Sequence, residues 1–283
     1  MRFVKGHGTE NDFVILPDPD GTLELSADVV ARLCDRRAGI GADGILRVVR
    51  AKAAGIPEIE ASGAEWFMDY RNSDGSIGEM CGNGIRVFAR YLVEAGLAAP
   101  GEWGIATRAG VRGVSLGGAG DVSAEMGPPA YLGGGEATVA GETFTGKRIS
   151  MGNPHLACPV DAPVVGLDLS RAPGFDPAAF PEGVNVEFFR TIGDHHLEMR
   201  VFERGSGETR SCGTGTVAVA AAAAIGPEAP YESYGLDGGA LPEGEWTVDV
   251  PGGRLTVTFD GTTSHLKGPA ELVAEGETYP GWL

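Results

Sequence analysis

The fold class predicted from the sequence is α+β, built from two similar halves, and three observations predict it. The 46 glycines and 18 prolines are spread along the 283 residues and separate short apolar runs, as many short strands require. Helical periodicity is confined to a few places. One local device occurs twice: Cys81-Gly82-Asn83-Gly84 and Cys212-Gly213-Thr214-Gly215 each run straight into a helix-like segment.

The strand signals are short stretches such as residues 13–16 (Phe-Val-Ile-Leu), 247–250 (Thr-Val-Asp-Val) and 255–259 (Leu-Thr-Val-Thr-Phe). Helices are expected over Ala27 to Arg36, Cys81 to Ala95 and Gly213 to Ile225. In the second, Ile85, Phe88, Ala89, Leu92 and Val93 follow the i, i+3, i+4 rule of an amphipathic helix, and Gly96 ends it. The third is apolar all round, as a helix enclosed by other elements requires. The Gly/Pro-rich stretch 116–135 is the candidate domain crossing, and the order of strands, turn, Cys-Gly-x-Gly and helix recurs on either side of it. A duplicated scaffold explains that order. The offset supports it: Asn72 stands nine residues before Cys81 (72 to 81) and Glu203 nine before Cys212 (203 to 212), each followed by a tight Gly/Ser turn.

Composition excludes several function classes. A hydrophobic content of 42% with mean hydropathy −0.03 is that of a soluble globular protein. The longest apolar run, 217–225, is far short of the roughly 18 residues of a membrane helix. The N-terminus has no apolar signal region, so a cytoplasmic location is expected. A net charge of −17 argues against a nucleic-acid backbone as partner. Cys34, Cys81, Cys158 and Cys212 read as free thiols of a reducing compartment, and no CxxC or HExxH pattern supplies a metal site.

A thiol at a helix N-terminus meets unpaired N–H groups and the positive end of the helix dipole, which favours the thiolate. Two such thiols suit proton transfer at both faces of one carbon, one acting as base and the other as acid. The N–H groups of Gly82, Asn83, Gly213 and Thr214 are candidate ligands of an α-carboxylate. Taken alone, each turn also fits an ordinary glycine-rich helix start with a buried cysteine. His155, in Met151-Gly152-Asn153-Pro154-His155, is a candidate tuner of a thiol or a solvated turn residue. Asn185 lies in a strand pattern where asparagine is disfavoured, so it caps an edge or faces a polar pocket. Asn11 has a similar choice, with a turn role as the simpler one.

Seven ordered motifs resemble the diaminopimelate epimerase family: residues 5–13 (KGHGTENDF), 36–44 (RRAGIGADG), 70–76 (YRNSDGS), 80–86 (MCGNGIR), 151–155 (MGNPH), 185–188 (NVEF) and 203–215 (ERGSGETRSCGTG). The resemblance implies two pseudo-symmetric domains, each of mostly antiparallel strands wrapped around a central helix, with the active site in the cleft between them. It implies boundaries at 1–125 plus 269–283 and at 126–268, the first domain being closed by the C-terminal strand. It implies that Cys81 and Cys212 are the catalytic acid/base residues and that His155 and Glu203 set their protonation. Gly82, Asn83, Gly213 and Thr214 then hold the reacting carboxylate. Asn11, Asn72, Asn153, Asn185 and Arg204 read the distal amino acid end, with Glu203 near the reacting amine. No cofactor and no metal are expected; the substrate is diaminopimelate and the assembly a homodimer. Gly44 departs from the pattern, since many members carry glutamine there. The rival readings are a proline or hydroxyproline racemase with the same paired cysteines, a dithiol redox protein, and an amino-acid-binding module. Residues 226–245 are expected to form a surface loop.

Overall fold

The computed structural model describes residues 1–117, 120–225 and 243–282. They form two compact units, Met1–Ala124 with Gly268–Leu283, and Glu125–Lys267. The first carries β1 (Arg2–Gly8), β2 (Asn11–Pro17), α1 (Ala27–Cys34), β3 (Gly44–Arg50), α2 (Pro57–Glu60), β4 (Trp66–Asn72), α3 (Gly82–Glu94), β5 (Gly101–Thr107), β6 (Gly110–Leu116) and most of β7 (Val122–Glu125). The second carries β8 (Ala130–Val139), β9 (Glu142–Ser150), β10 (Pro154–Pro159), β11 (Gly174–Phe175), β12 (Asn185–Gly193), β13 (His196–Glu203), β14 (Gly207–Thr209), α4 (Gly213–Ile225), β15 (Gly244–Val250), β16 (Gly253–Phe259) and most of β17 (Ser264–Gly268). The chain then returns to the first unit with β18 (Glu271–Glu277).

The two units repeat one pairing order. In the first, β1–β2 is antiparallel, β2–β3 parallel, β3–β4 antiparallel, β4–β5 parallel, and β5–β6 and β6–β7 antiparallel. In the second, β9–β10 is antiparallel, β10–β12 parallel, β12–β13 antiparallel, β13–β15 parallel, and β15–β16 and β16–β17 antiparallel. Strand β18 pairs with β1 as β8 pairs with β9. In both units a 13-residue helix separates the fourth and fifth strands of that order in the chain. The fold is therefore α+β with two pseudo-symmetric units, each a mainly antiparallel sheet packed around one long helix.

Register makes the equivalence residue by residue. Phe13 pairs with Gly44 across β2 and β3, and His155 pairs with Asn185 across β10 and β12. Two residues further along, Leu46 corresponds to Glu187. Asn72 closes β4 as Glu203 closes β13.

The long helices differ from their sequence signals in one respect. Helix α4 is enclosed as expected: residues from Gly215 to Ala222 are buried against β9, β10, β12, β13 and β16. Helix α3, expected to be amphipathic, is also buried on every side from Gly82 to Leu92, including Arg86 and Arg90. Its Ile85, Phe88 and Leu92 are each 0% exposed, and burial of such a side chain stabilises by about 1.5–3 kcal/mol. Gly96, at φ +67°, ends the helix in the left-handed conformation, and Leu97 N–H closes onto the Leu92 carbonyl at 2.8 Å. Helix α2 gave no periodic signal because it has only four residues, begun by Pro57. Of the loop expected at 226–245, residues 226–242 lie outside the described residues, and Gly244 and Glu245 belong to β15. No helix among the described residues is long and apolar enough to cross a membrane.

Enclosure of α4 makes it intolerant of added volume. Ala220→Leu is expected to destabilise the protein by about 1–3 kcal/mol, read from the denaturation midpoint, because Ala220 is fully buried.

Candidate active site

Both cysteines of the repeated device are helix caps. Cys81 is the N-cap of α3, in extended conformation, and its Sγ accepts the Gly84 N–H at 3.4 Å while its carbonyl accepts the Ile85 N–H at 2.8 Å. Cys212 repeats the pattern before α4: Sγ accepts the Gly215 N–H at 3.4 Å and the carbonyl accepts the Thr216 N–H at 2.9 Å. The N–H groups of Gly82, Asn83, Gly213 and Thr214 occupy the first two positions of their helices, where no carbonyl of the same helix lies within reach. They are donors suited to an anion.

Around Cys81 the structure gathers Asn11 and Asn83. Asn11 Nδ2 donates to Asp43 Oδ2 at 2.8 Å, which turns Oδ1 towards Asn83 Nδ2 at 3.2 Å and the Cys81 thiol at 3.8 Å. Asp43 and Asp12 are tied together by Arg36, at 2.7 Å from each. Asn11 follows a two-residue turn in which Thr9 and Glu10 both have positive φ, +49° and +62°, the geometry of a tight hairpin. Asn72 is fixed separately: its Oδ1 accepts from the Tyr70 hydroxyl at 2.7 Å and its Nδ2 donates to Ser76 Oγ at 2.9 Å. The Tyr70 ring lies in a slot that two glycines leave open. A Cβ at Gly44 would stand 2.9 Å from the ring and one at Gly78 2.2 Å. Gly44, which departs from the resemblance, is thus one of two glycines beside Tyr70, and a Cβ there would also stand 2.6 Å from the Arg71 carbonyl.

Beneath the Cys81 turn lies Arg86, fully buried, with Nη1 donating to the Gly82 carbonyl at 3.1 Å. Burial pulls it down to about 10, and the charges of Cys81 and Asp121 oppose that fall. An anionic Cys81 sulfur and this buried cation therefore attract each other.

The surroundings of Cys212 are of opposite sign. The thiol is 6% exposed, and burial pushes it well above the usual thiol range; Glu203 and Glu187 push it further, against bonds from Thr214 and the Gly215 N–H. The helix terminus alone favours the thiolate, but at Cys212 burial first, and then two neighbouring carboxylates, outweigh it. Glu203 is itself raised by burial, with hydrogen bonds from Thr209 and from the Cys212 thiol pulling the other way. The other two thiols, Cys34 and Cys158, are buried and pushed up to about 12.

His155 and Asn153 join Cys212 through a path of contacts. Asn153 Oδ1 lies 3.1 Å from His155 Nε2, Asn153 Nδ2 donates to Thr214 Oγ1 at 3.4 Å, and Thr214 Oγ1 is 3.5 Å from Cys212 Sγ. The other ring nitrogen of His155, Nδ1, is 2.6 Å from Glu187 Oε1, and both residues are 0% exposed. Asn185, 5% exposed, spends its amide on the backbone: Nδ2 donates to the Pro154 carbonyl at 3.1 Å and Oδ1 accepts the Arg204 N–H at 3.0 Å. The Arg204 guanidinium is partly exposed and donates to the Glu182 carbonyl at 3.2 Å. Glu187, Tyr70 and Arg86 are the residues that sequence reasoning missed. The signal for Glu187 was its place two residues after Asn185, which puts both on one strand face.

The fold defines a class before the chemistry does. The chain is similar to a phenazine biosynthesis protein of the PhzF family from Bacillus anthracis, at TM-score 0.64, 17% identity and 99% coverage of both chains. It is equally similar to a hydroxyproline epimerase from Agrobacterium vitis, at TM-score 0.64 and 14% identity, covering 98% of this chain and 91% of that one. At such identities these likenesses define the fold alone. The sequence pattern of the family described as diaminopimelate epimerase matches residues 3–132 and 148–273, and the chain belongs to that family. It is 55% identical to the diaminopimelate epimerase of Thermobifida fusca over 98% of this chain and 97% of the relative, and 51% identical to that of Rhodococcus jostii over 100% and 98%.

The two capping turns differ in how much room lies under them. A Cβ at Gly215 would stand 2.6 Å from Glu187 Oε1, whereas one at Gly84 would meet nothing nearer than Leu46 at 3.2 Å. Gly215→Ala is expected to destabilise by about 1–3 kcal/mol in urea denaturation. Gly84→Ala is expected to be close to neutral, because the helix-propensity gain of roughly 1 kcal/mol offsets a milder contact.

Proposed function

We propose that the protein interconverts LL- and meso-2,6-diaminopimelate by a two-thiol mechanism that needs no cofactor. The observation that carries this reading is the pair of sulfur-capped helix starts, in a chain that belongs to a family of that name. One thiolate removes the α-proton: the C–H bond breaks, an S–H bond forms, and the electron pair spreads into the α-carboxylate. The S–H bond of the other thiol then breaks and a C–H bond forms on the opposite face. The proton count of the enzyme is unchanged and the roles of the two sulfurs are exchanged.

Gly82, Asn83, Gly213 and Thr214 supply the N–H groups that hold the α-carboxylate as negative charge builds on it. Asn11, Asn72, Asn153, Asn185 and Arg204 read the distal amino acid end, and Glu203 stands by the reacting amine. The carboxylates around Cys212 and the cation below Cys81 divide the resting roles: Cys212 is the thiol and Cys81 the thiolate. The two compact units are the two epimerase domains, and the enzyme works as a cytoplasmic homodimer.

The test is turnover of purified, reduced protein in deuterium oxide. Solvent deuterium is expected at the α-carbon while LL and meso isomers interconvert without pyridoxal phosphate, with no turnover of proline or 4-hydroxyproline; absence of α-exchange with diaminopimelate refutes the reading. Cys81→Ala and Cys212→Ala are each expected to lower kcat by about 100-fold or more with the circular dichroism spectrum unchanged. Near-normal turnover by either variant contradicts the two-thiol scheme. Because Cys212 is held above the usual thiol range, the alkaline limb of kcat/KM, where its proton is lost as pH rises, is expected above the ordinary thiol value of roughly 8.5.

A further inference from the structure

The two units share a scaffold and differ in the floor beneath the capped thiol. Under Cys81 the equivalent positions are Phe13 and Leu46, both 0% exposed and apolar. Under Cys212 they are His155 and Glu187, also 0% exposed. The same close approach marks both floors: a Cβ at Gly84 would meet Leu46, and a Cβ at Gly215 would meet Glu187. A buried carboxylate has thus taken the place of a leucine in one copy only.

We propose that Glu187 is a positioning residue for the reaction: its carboxylate holds His155 with protons on both ring nitrogens, and the contacts through Asn153 and Thr214 carry that state to the Cys212 thiol. The geometry fixes each link. Asn153 Nδ2 is directed at Thr214, so Oδ1 is what faces His155 Nε2, and an acceptor there calls for N–H on Nε2. Nδ1 faces Glu187 Oε1 at 2.6 Å, the length of a charge-assisted bond. With Asn153 oriented this way, the Thr214 hydroxyl accepts from Nδ2 and is left to donate to or accept from Cys212 Sγ. Glu187 Oε2 has no partner among the described residues, so the whole charge of this carboxylate is answered by His155. The other titratable groups facing the pair are Glu203 on β13, Cys212 at the start of α4 and Cys158 on β10. A neutral histidine keeps both contacts only if the proton rests on Glu187 instead, and the ring nitrogens distinguish the two states.

Two measurements test this, and only the second rests on the proposed function. Nitrogen-15 NMR of the intact protein is expected to show both His155 nitrogens protonated from pH 6 to 8. In Glu187→Gln the ring is expected to carry a single proton throughout that range, because burial disfavours a charge that no carboxylate answers. A wild-type ring with one bare nitrogen at pH 7 overturns the proposal whatever the protein catalyses. For diaminopimelate epimerisation, Glu187→Gln is expected to lower kcat roughly 10-fold or more with KM within about three-fold, and Glu187→Asp to recover part of the loss. A Glu187→Gln enzyme with wild-type kcat overturns it as well. If Glu187→Gln fails to fold, the double variant His155→Phe with Glu187→Leu copies the apolar floor of the first unit; it is expected to fold and to lack turnover, and its full activity is a refutation.

Discussion

A sulfur that caps a helix has to satisfy two demands at once, and much of both units is arranged around that constraint. It accepts the third N–H of the helix, which pins the thiol over the first turn. The residue that donates is glycine in both copies, at 84 and 215, and only at 215 does a neighbouring side chain crowd out a Cβ. The strand that leads into the turn has to end on a polar residue, Asn72 in one unit and Glu203 in the other. The helix that follows has to be surrounded, since a frayed first turn would release the thiol from the N–H it caps. That explains why α3 and α4 are both buried on every side despite one sequence that looks amphipathic and one that does not.

On this shared frame the electrostatics diverge. Below Cys81 a buried arginine attracts negative charge on the sulfur; around Cys212 burial and then two carboxylates disfavour it. A proton-transfer site needs its two groups in different protonation states at the moment substrate arrives, and a perfect duplicate would supply two identical ones. The difference comes from few positions. Phe13 against His155 and Leu46 against Glu187 alter charge while strand register and helix placement stay the same.

Much of this was legible in the sequence because it is local. Helices α1, α3 and α4, the strand runs and the Cys-Gly-x-Gly turns are carried by residues adjacent in the chain, and the offset of Asn72 and Glu203 from the thiols matched strand ends in both units. The family followed from ordered motifs. What was not legible depends on pairing between distant segments. Glu187 sits in Asn185-Val186-Glu187-Phe188, which reads as alternation with a solvated face, yet the parallel pairing of β10 with β12 brings His155 beside it and α4 covers both. Arg86 and Arg90 occupy polar positions of a helical wheel, and only the complete unit shows that no polar side exists. The raised Cys212 thiol belongs to the same group, since neither carboxylate is its neighbour in the chain.

The 2.6 Å separation between a Cβ at position 215 and Glu187 Oε1 also constrains how such a protein can evolve. While the carboxylate is present, a side chain at position 215 is disfavoured; once the carboxylate is replaced by a smaller or apolar group, alanine at 215 becomes admissible and then opposes the return of glutamate. The order in which the two positions change therefore matters. A lineage that loses the ion pair and fills the space has closed the route back, whereas one that keeps glycine retains the freedom to regain the charge.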